Sequence, residues 1–524
     1  MKHKLYTTIL LIAGYGSIDA LNDYTNHTYM FVRPIFDSIS IQQSSWHNIV
    51  YNKRKHGTAV QAIGIYGQSY PNLNNSAYFF FNQKNRLRVD SGATSTYLTT
   101  GPYQFQDVNN PTSGQIGVKS FNRDILGQWL GLTDADQLHI ELSPQSRQAC
   151  ALLEISQELA RVVSWQMFEN WSIDIGIPFT WVENNLHVSG DLPVIQAFNQ
   201  PDYTYVRMPT GNRSSISISQ VSIALVTKYM SENDIQVNTS MGVIFPFSAQ
   251  PCNAAIFEPI QGFNSHFCLD STVHFQFPIV KKTPDAKDKI LWFIDVHNNF
   301  LARNHQLRTY DIKDKPFSRY MKLLDRYTNK IVPAMNALTI RSRVEPFNVV
   351  DFMTGIRFNH LDYTCEIGYE LWAHGSEVIT PDPQINHPVG FWEDDRYGIA
   401  FINTDGVLAA IDGGGNVIPL PAGQLGQTAS GSTINFVSAP DAVTSCCPTP
   451  TYTQKNRYLR LQDLNRTTCA AQPTITHRCF VGSGFENKGK RHNAFANFGA
   501  FIEAAQNNAG LCFWGGWIKG GCTF

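Results

Sequence analysis

Seven charged residues lie on the polar parity of segments whose side chains alternate between apolar and polar. They are Asp174, Arg341, Arg343, Arg357, Glu366, Glu370 and Lys519. Residues of one parity point to the same side of an extended strand, so these charges would share a face with other polar side chains. Where such faces enclose water, arginines opposite carboxylates order that water and favour small polar solutes. The pattern therefore predicts a polar lumen with these seven residues lining the pore.

Motifs that would indicate catalysis or a bound metal are absent from the sequence. It contains neither G-x-S-x-G nor H-E-x-x-H, which mark serine hydrolases and zinc peptidases. No two of its ten cysteines are spaced as C-x-x-C, an arrangement common in zinc sites. We therefore expect no enzyme, no catalytic residue, no cofactor and no metal. The net charge of -1 comes without a basic tract, so we also expect no nucleic-acid partner.

A strictly alternating segment of eleven residues runs from Trp171 to Trp181. One parity reads Trp, Ile, Ile, Ile, Phe, Trp and the other reads Ser, Asp, Gly, Pro, Thr, which is the period of a strand. Ten steps of roughly 3.3 Å, tilted by about 40°, span about 25 Å, the height of the lipid-facing band of an outer-membrane barrel. Aromatic residues prefer the membrane interfaces. We therefore expect Trp171, Phe179, Trp181 and Trp514 to form a membrane aromatic girdle.

The last residues of the chain repeat this arrangement. Trp514 and Phe524 share one parity and are again ten residues apart, while Lys519 falls on the other face. A terminal aromatic residue that closes an alternating strand resembles the carboxy-terminal assembly signal of Gram-negative outer-membrane β-barrel proteins. The resemblance implies a bacterial outer-membrane location among lipid and lipopolysaccharide, and insertion by the barrel assembly machinery at a signal that includes Phe524. For a large barrel without an enzyme motif it also implies porin-like passive diffusion of small solutes.

The composition agrees with strands that are apolar on one face only. Charged residues make up 16% of the chain, below the roughly 25% usual in soluble proteins. Aromatic residues reach 12%, while the mean hydropathy of -0.21 is low for a helical membrane protein. We predict an all-β fold, an antiparallel transmembrane β-barrel of about 14–18 strands, with short helical inserts after Asp37 and Pro316.

The chain divides into three parts. A basic start followed by an apolar run predicts a signal peptide over residues 1–20. Residues 21–56 do not alternate cleanly and would form either a periplasmic segment or a plug in the lumen. Residues 57–524 are predicted to form the barrel, with long loops at 301–334, 405–432 and 439–482. The oligomeric state stays open.

Cysteines and prolines give two local predictions. Four cysteines fall within 34 residues and would suit a loop disulfide framework of undetermined pairing: Cys446, Cys447, Cys469 and Cys479. Pro178 and Pro278 occupy polar positions of predicted strands. Because proline cannot donate to the ladder, both sites predict bulges or local breaks.

Residues 352–374 predict a hairpin. The turn falls at Asn359 to Asp362, and one face of both strands is apolar. On the opposite face Arg357 is expected diagonal to Glu366, close enough for a charge pair.

Three functions follow from these patterns. The first is a porin-like channel for small hydrophilic solutes, favoured by the charges on the inward parity. The second is a transporter for hydrophobic compounds that resembles the long-chain fatty-acid transporter family, in which an amino-terminal segment plugs the lumen. The third is a structural or adhesive surface barrel, favoured if residues 439–482 belong to a folded extracellular module.

Overall fold

A computed structural model describes most of the chain. The described residues are 23–43, 46, 50, 57–71, 73–90, 124–126, 130, 132, 137–163, 168–230, 235–281, 288–313, 315–320, 322–325, 327–328, 330–382, 394, 396–399, 401–402, 408–411, 417–419, 459–488 and 492–524. The predicted signal peptide lies outside them, as do Cys446 and Cys447.

Twelve long strands form one closed antiparallel barrel. They are β1 Thr58–Ser69, β2 Gln145–Glu158, β3 Trp171–Asn185, β4 Gln220–Met230, β5 Gln236–Pro246, β6 Cys268–Lys281, β7 Lys289–Leu301, β8 Asn348–His360, β9 Tyr363–His374, β10 Thr474–Lys488, β11 Asn493–Ala505 and β12 Phe513–Thr523. Each strand pairs with its neighbours in the chain. The barrel closes where β12 pairs with β1, with Ala59 opposite Thr523 and Ser69 opposite Phe513.

The barrel is apolar on the outside and polar on the inside. Large apolar side chains are exposed on the outer face of the strands, such as Phe179 at 48% and Ile367 at 57%. The inward parity carries buried polar groups, among them Gln148, Asn238 and Arg478. A soluble barrel would show the opposite distribution, because water favours polar residues outside. The outer surface of this barrel is therefore suited to lipid.

The predicted fold class is confirmed, but the barrel has twelve strands and not 14–18. Several alternating segments counted as wall strands pair outside the barrel. The strand Thr339–Glu345 lies between Asn304–Thr309 and Val378–Pro381 in a separate sheet. Period-two alternation marks any strand with one buried face, so it does not distinguish a wall strand from one in a folded loop.

The two ends of the barrel differ in their connections. Short links, such as Leu361 and Asp362 between β8 and β9, lie at the end that holds Phe524, here called the turn end. The opposite loop end carries the long connections 70–144, 302–347 and 375–473. The described parts of these connections fold into small sheets with buried aromatic residues such as Phe80 and Phe317. We call this assembly the cap.

The loop boundaries differ from those expected. The connection after β7 runs on to residue 347, and β10 begins at Thr474, inside the predicted loop 439–482. In the predicted loop 405–432 the described residues are the short strands Leu408–Ile411 and Val417–Pro419.

Helical content is small in the described part of the chain. An α-helix at Ile39–Gln43 follows Asp37 as predicted. Directly after Pro316 the chain forms a 3-10 turn, Ser318–Tyr320, and then the strand Lys322–Asp325; an α-helix follows at Ala334–Leu338. No helix among the described residues is long and apolar enough to span a membrane.

Both proline predictions are confirmed. At Pro278 the register between β6 and β7 shifts by one residue, which is a β-bulge. At Pro178 strand β3 changes partner: residues up to Gly176 pair with β4, and residues from Phe179 onward pair with Arg213–Ile218. In each case the missing N–H donor coincides with the break in the ladder.

Candidate channel lumen

Residues 23–43, here called the lumen segment, run through the inside of the barrel. At the loop end, the backbone N–H of His27 donates to the carbonyl of Tyr78 at 2.9 Å. Further along, the N–H of Ile35 donates to Gln148 Oε1 of β2 at 2.9 Å. Nearer the turn end, Lys519 Nζ donates to the carbonyl of Ile41 at 2.6 Å. The chain therefore passes from the loop end towards the turn end before β1 begins.

Arg33 of the lumen segment is enclosed by three carboxylates from three strands. Its Nη2 lies 2.9 Å from Asp351 of β8 and 2.5 Å from Glu370 of β9, and its Nη1 lies 2.9 Å from Glu503 of β11. Arg478 of β10 lies 2.7 Å from Glu503 and 3.6 Å from Glu370. These five buried side chains, the Arg33 cluster, combine two guanidinium groups with three carboxyl groups.

Glu370 also holds the backbone of the lumen segment. It accepts hydrogen bonds from Ser38 Oγ at 3.0 Å, Ser40 Oγ at 2.6 Å and the N–H of Ile39 at 3.1 Å. Buried carboxylates are stable only when their lone pairs find donors. The donors of the lumen segment thus satisfy a buried carboxylate of the barrel wall.

A second buried ion pair lies closer to the turn end. Arg357 Nη2 and Nε contact Glu366 Oε2 at 3.0 and 3.2 Å. The hairpin is confirmed, but the two residues stand directly opposite in the register and not diagonally. Asp295 and Arg357 both line a cavity of about 10 Å³. Within the described residues, Asp295 Oδ2 and Arg357 Nη1 have no hydrogen-bond partner. A space of that size holds about one water molecule.

Aromatic side chains fill the lumen along β8 to β12. Trp517 lies across the backbone of Gly499, and its Nε1 donates to Asn497 Oδ1 at 2.8 Å. Phe480 covers Gly368 in the same way. Both glycines permit an approach that a Cβ would block. The lumen segment packs against this filled half of the barrel.

The other half of the lumen retains a cavity of about 120 Å³, bordered by the lumen segment and by strands β2 to β7. Its titratable lining residues are Asp37, Glu154, Asp174, Asp270, His274 and His297. No lysine or arginine lines it within the described residues. His297 is hydrogen bonded to Asp270, and His274 Nδ1 lies 2.7 Å from Asp295. The remaining open space is therefore polar and acidic.

Five of the seven predicted pore residues lie inside the barrel. Asp174 borders the cavity and accepts a hydrogen bond from Ser156 Oγ at 2.5 Å. Arg357, Glu366, Glu370 and Lys519 lie around the lumen segment, and all four are buried. They contact protein groups, and none of these four borders the larger cavity.

The prediction that Arg341 and Arg343 line the pore is wrong. Both lie on the strand Thr339–Glu345, which belongs to a sheet outside the barrel wall. Arg343 forms a largely exposed ion pair with Glu345 at 2.9 Å. Their parity is correct for a strand, but their strand does not belong to the barrel.

The predicted girdle residues lie on the outer face. Phe179 is 48% exposed and Trp514 is 42% exposed. Trp171 and Trp181 share the parity of Phe179 and are half-buried by their neighbours. Their role as a membrane girdle stays a prediction.

The described part of the cysteine cluster forms no disulfide. Cys469 is a buried free thiol in the cap, and Cys479 is an exposed free thiol on β10. Cys469 and Cys479 are close in sequence, but strand β10 begins between them, so one lies in the cap and the other on the barrel wall.

Phe524 lies where the barrel closes. Its N–H donates to the carbonyl of Thr58 at 2.8 Å, and its carbonyl accepts from the N–H of Gly57 at 3.0 Å. We expect deletion of Phe524 to lower the amount of folded barrel in the membrane, because both the terminal aromatic residue and these bonds are lost. Heat-modifiable mobility of membrane fractions measures it, with Phe524→Tyr as the control that keeps the aromatic ring. Normal membrane levels of the truncated chain would show that Phe524 is not an assembly signal.

The cap provides a pH-dependent anchor for the start of the lumen segment. His27 stacks on Tyr78 with ring centroids 4.6 Å apart, and burial lowers its pKa to about 3. His266, in the loop before β6, contacts the cap, where its Nδ1 lies 2.7 Å from the carbonyl oxygen of Ala302, and burial lowers its pKa to about 4. Both imidazoles stay neutral when folded and take up protons only on unfolding. Their contribution to stability is complete above about pH 6.5, the ordinary histidine pKa, and is lost as pH falls below it.

We therefore expect the cap to loosen as pH falls from about 6.5 towards 4, with each histidine costing about 1.4 kcal/mol per pH unit. Proteolysis of residues 23–30 as a function of pH measures this. His27→Phe should reduce the pH dependence, since it keeps the stack on Tyr78 and removes the titrating group. An unchanged pH profile in that variant would contradict the assignment.

Sequence reasoning missed most of the Arg33 cluster. Asp351 shares the polar face of the predicted hairpin with Glu370, and Arg478 and Glu503 have the inward parity of their strands, so the rule that found Glu370 would also have found these two. Arg33 gave no comparable signal, because the lumen segment does not alternate. Its position is decided by contacts with strands more than 300 residues away in sequence.

Comparisons with known proteins give only distant likenesses. No protein-family model and no curated protein matches the sequence. Among solved structures, an outer membrane channel from Pseudomonas putida F1 is 8% identical with a TM-score of 0.36, over 90% of this chain and 98% of that one. The TodX ΔS2S3 mutant monoaromatic hydrocarbon channel is 7% identical with a TM-score of 0.31, over 95% of each chain. The transport unit of the autotransporter AIDA-I from Escherichia coli is 6% identical with a TM-score of 0.30, over 90% of this chain and 91% of that one.

Likenesses at these scores carry no argument about function. The fold rests on the hydrogen bonding of the chain itself, which closes twelve antiparallel strands around a polar interior. With its apolar exterior and short turns at one end, this chain is a closed twelve-stranded antiparallel β-barrel whose outer surface is suited to lipid.

Proposed function

We propose that this protein is a bacterial outer-membrane channel that lets small hydrophilic solutes diffuse past the lumen segment, with a preference for cations. The observation that carries the proposal is the acidic cavity between the lumen segment and strands β2 to β7. It is bordered by four carboxylates and two histidines, without lysine or arginine among its described lining. Carboxylate-lined pores favour cations over anions.

The lipid-suited exterior supports the location. A barrel with apolar residues outside and charged residues inside is stable only where lipid surrounds it. Insertion would then require the barrel assembly machinery, and the outer leaflet would bring lipopolysaccharide against the exposed aromatic residues. No catalytic role is proposed.

The presence of the lumen segment agrees with a transporter for hydrophobic compounds, but the polar lining of the cavity does not. Such a compound needs an apolar path, because apolar surface gains little in a polar lining. A structural surface role is favoured by one observation, the cap at the loop end, whose buried aromatic residues share one hydrophobic core with residues of the barrel strands. The measurement below separates these two from the channel.

The test is single-channel conductance of the refolded chain in a planar bilayer under a potassium chloride gradient. We expect small, stable conductance steps with potassium favoured over chloride. Asp174→Asn is expected to lower the potassium-to-chloride permeability ratio roughly fivefold, which corresponds to about 1 kcal/mol, the Coulomb energy of one charge across a short aqueous gap.

Glu183→Gln is the matched control. Glu183 lies on the same strand as Asp174, faces the other side and contacts Arg147 at 3.3 Å. The control should leave selectivity unchanged. Folded, heat-modifiable protein without conductance would refute the channel and favour the surface role, and preference for chloride would refute the acidic path.

A further inference from the structure

The wall of the lumen carries an acidic pocket that the barrel does not neutralise by itself. Asp351, Glu370 and Glu503 project from β8, β9 and β11, and Arg478 is the cation that the wall contributes to this group. Without Arg33, three buried carboxylates would face one arginine. A buried excess of negative charge costs several kcal/mol unless a cation compensates it. The pocket therefore requires a cation from outside the wall.

The geometry of the pocket suits a guanidinium group. Two nitrogens of Arg33 reach three carboxylates at 2.5 to 2.9 Å, and the guanidinium carbon lies 5.5 Å from the centre of the Trp372 ring. A planar cation with forked donors next to an indole is the arrangement that guanidinium fills better than ammonium. Arg478 holds Glu503 through Nε at 2.8 Å independently of Arg33. Glu503 is thus positioned by the wall.

The group that fills this pocket belongs to a separable segment. Within the described residues, no backbone-to-backbone hydrogen bond joins residues 29–43 to a barrel strand. Side chains such as Gln148 and Glu370 provide the polar attachments to the wall. The segment can therefore leave without breaking the sheet.

The acidic cavity borders the lumen segment at Asp37, a residue that contacts Arg33. Asp37 is one of the residues that line the cavity, and its carbonyl accepts hydrogen bonds from Arg33 Nε at 3.1 Å and Nη2 at 2.9 Å. A cation in the cavity would therefore lie beside Asp37, whose carbonyl is a hydrogen-bond acceptor of Arg33.

We propose that Asp351, Glu370 and Glu503, with Trp372, form a guanidinium-binding site that Arg33 occupies from within the chain. Solutes that carry a guanidinium group, such as free arginine, compete with Arg33 for this site and release the lumen segment. The binding site is inferred from the Arg33 cluster alone. That release of the lumen segment opens the lumen for transport rests on the proposed channel function.

The first test is chemical rescue of Arg33→Ala in detergent micelles. The variant removes the guanidinium and leaves its site empty, so methylguanidinium at millimolar concentration should raise its thermal unfolding midpoint in a saturable way. Methylammonium should raise it far less, and the wild type should show no rise in its unfolding midpoint, because a solute that replaces Arg33 adds no cation to the site. Equal effects of the two cations on Arg33→Ala would overturn the proposal.

Arg319→Ala serves as the control for rescue at any buried arginine. Arg319 is buried in the cap against Asp311. Any rise in the unfolding midpoint of Arg319→Ala with methylguanidinium therefore measures how much stability comes from filling an arginine-sized space at an unrelated site. The double variant Arg33→Ala with Asp351→Asn should respond more weakly than Arg33→Ala. If it responds equally, Asp351 does not belong to the site. Rescue is measured as a thermal midpoint and does not require a conducting lumen. Its outcome therefore tests the guanidinium site independently of the proposed channel function.

A second test covers the case in which Arg33→Ala does not fold. Limited proteolysis of the wild-type barrel in micelles is measured with arginine and with citrulline, its neutral analogue. Arginine should increase cleavage within residues 23–43, and citrulline should not. Cleavage that is the same with both would show that no guanidinium solute displaces Arg33.

Discussion

Glu370→Leu is expected to destabilise the folded barrel by about 3–5 kcal/mol, the usual cost of removing one partner from a buried charge cluster. The carboxylate of Glu370 accepts from Arg33, Ser38, Ser40 and the N–H of Ile39. Each of these donors is left buried without that acceptor, at about 1–3 kcal/mol for a typical donor. Urea titration of the refolded barrel in lipid vesicles measures the loss.

The same change should release the lumen segment before the barrel unfolds. Because the segment is attached to the wall by side chains, proteolysis of residues 23–43 should accelerate under conditions where the wall strands stay resistant. Glu345→Gln is the matched control, since Glu345 forms an exposed pair with Arg343 outside the barrel and such pairs contribute about 0–1 kcal/mol. If Glu370→Leu costs no more than this control, Glu370 does not hold the segment.

Arg357→Met is expected to cost a similar amount, about 3–5 kcal/mol, because it leaves Glu366 buried without its arginine. Both side chains are almost fully inaccessible, and their atoms lie 3.0 Å apart. The double variant Arg357→Met with Glu366→Gln should recover much of this loss, since neither buried charge then remains. The same urea titration, read as a double-mutant cycle, gives the coupling between them.

An additive double variant would contradict the pairing. Independent effects would mean that each residue interacts mainly with other groups, such as Asp295 across the small cavity beside Arg357. The cycle also reports on the hairpin register, because the two residues meet only when β8 and β9 pair as described.

The amino-acid sequence alone determined the character of the individual strands. Alternation over Trp171 to Trp181 and over Phe352 to Leu371 fixes which side chains share a face, because the period of a strand is two. It correctly assigned Phe179 and Ile367 to the outside and placed Glu370 on the opposite parity. The breaks at Pro178 and Pro278 followed from the missing donor of proline.

Only the tertiary structure decided which strands form the wall and what fills it. Arg341 and Arg343 show the same alternation as Arg357, yet their strand pairs with Asn304–Thr309 in the cap. Pairing depends on partners distant in the chain, and alternation carries no information about them. For the same reason Arg33 was not foreseen: its three carboxylates come from strands that lie side by side only after the barrel closes.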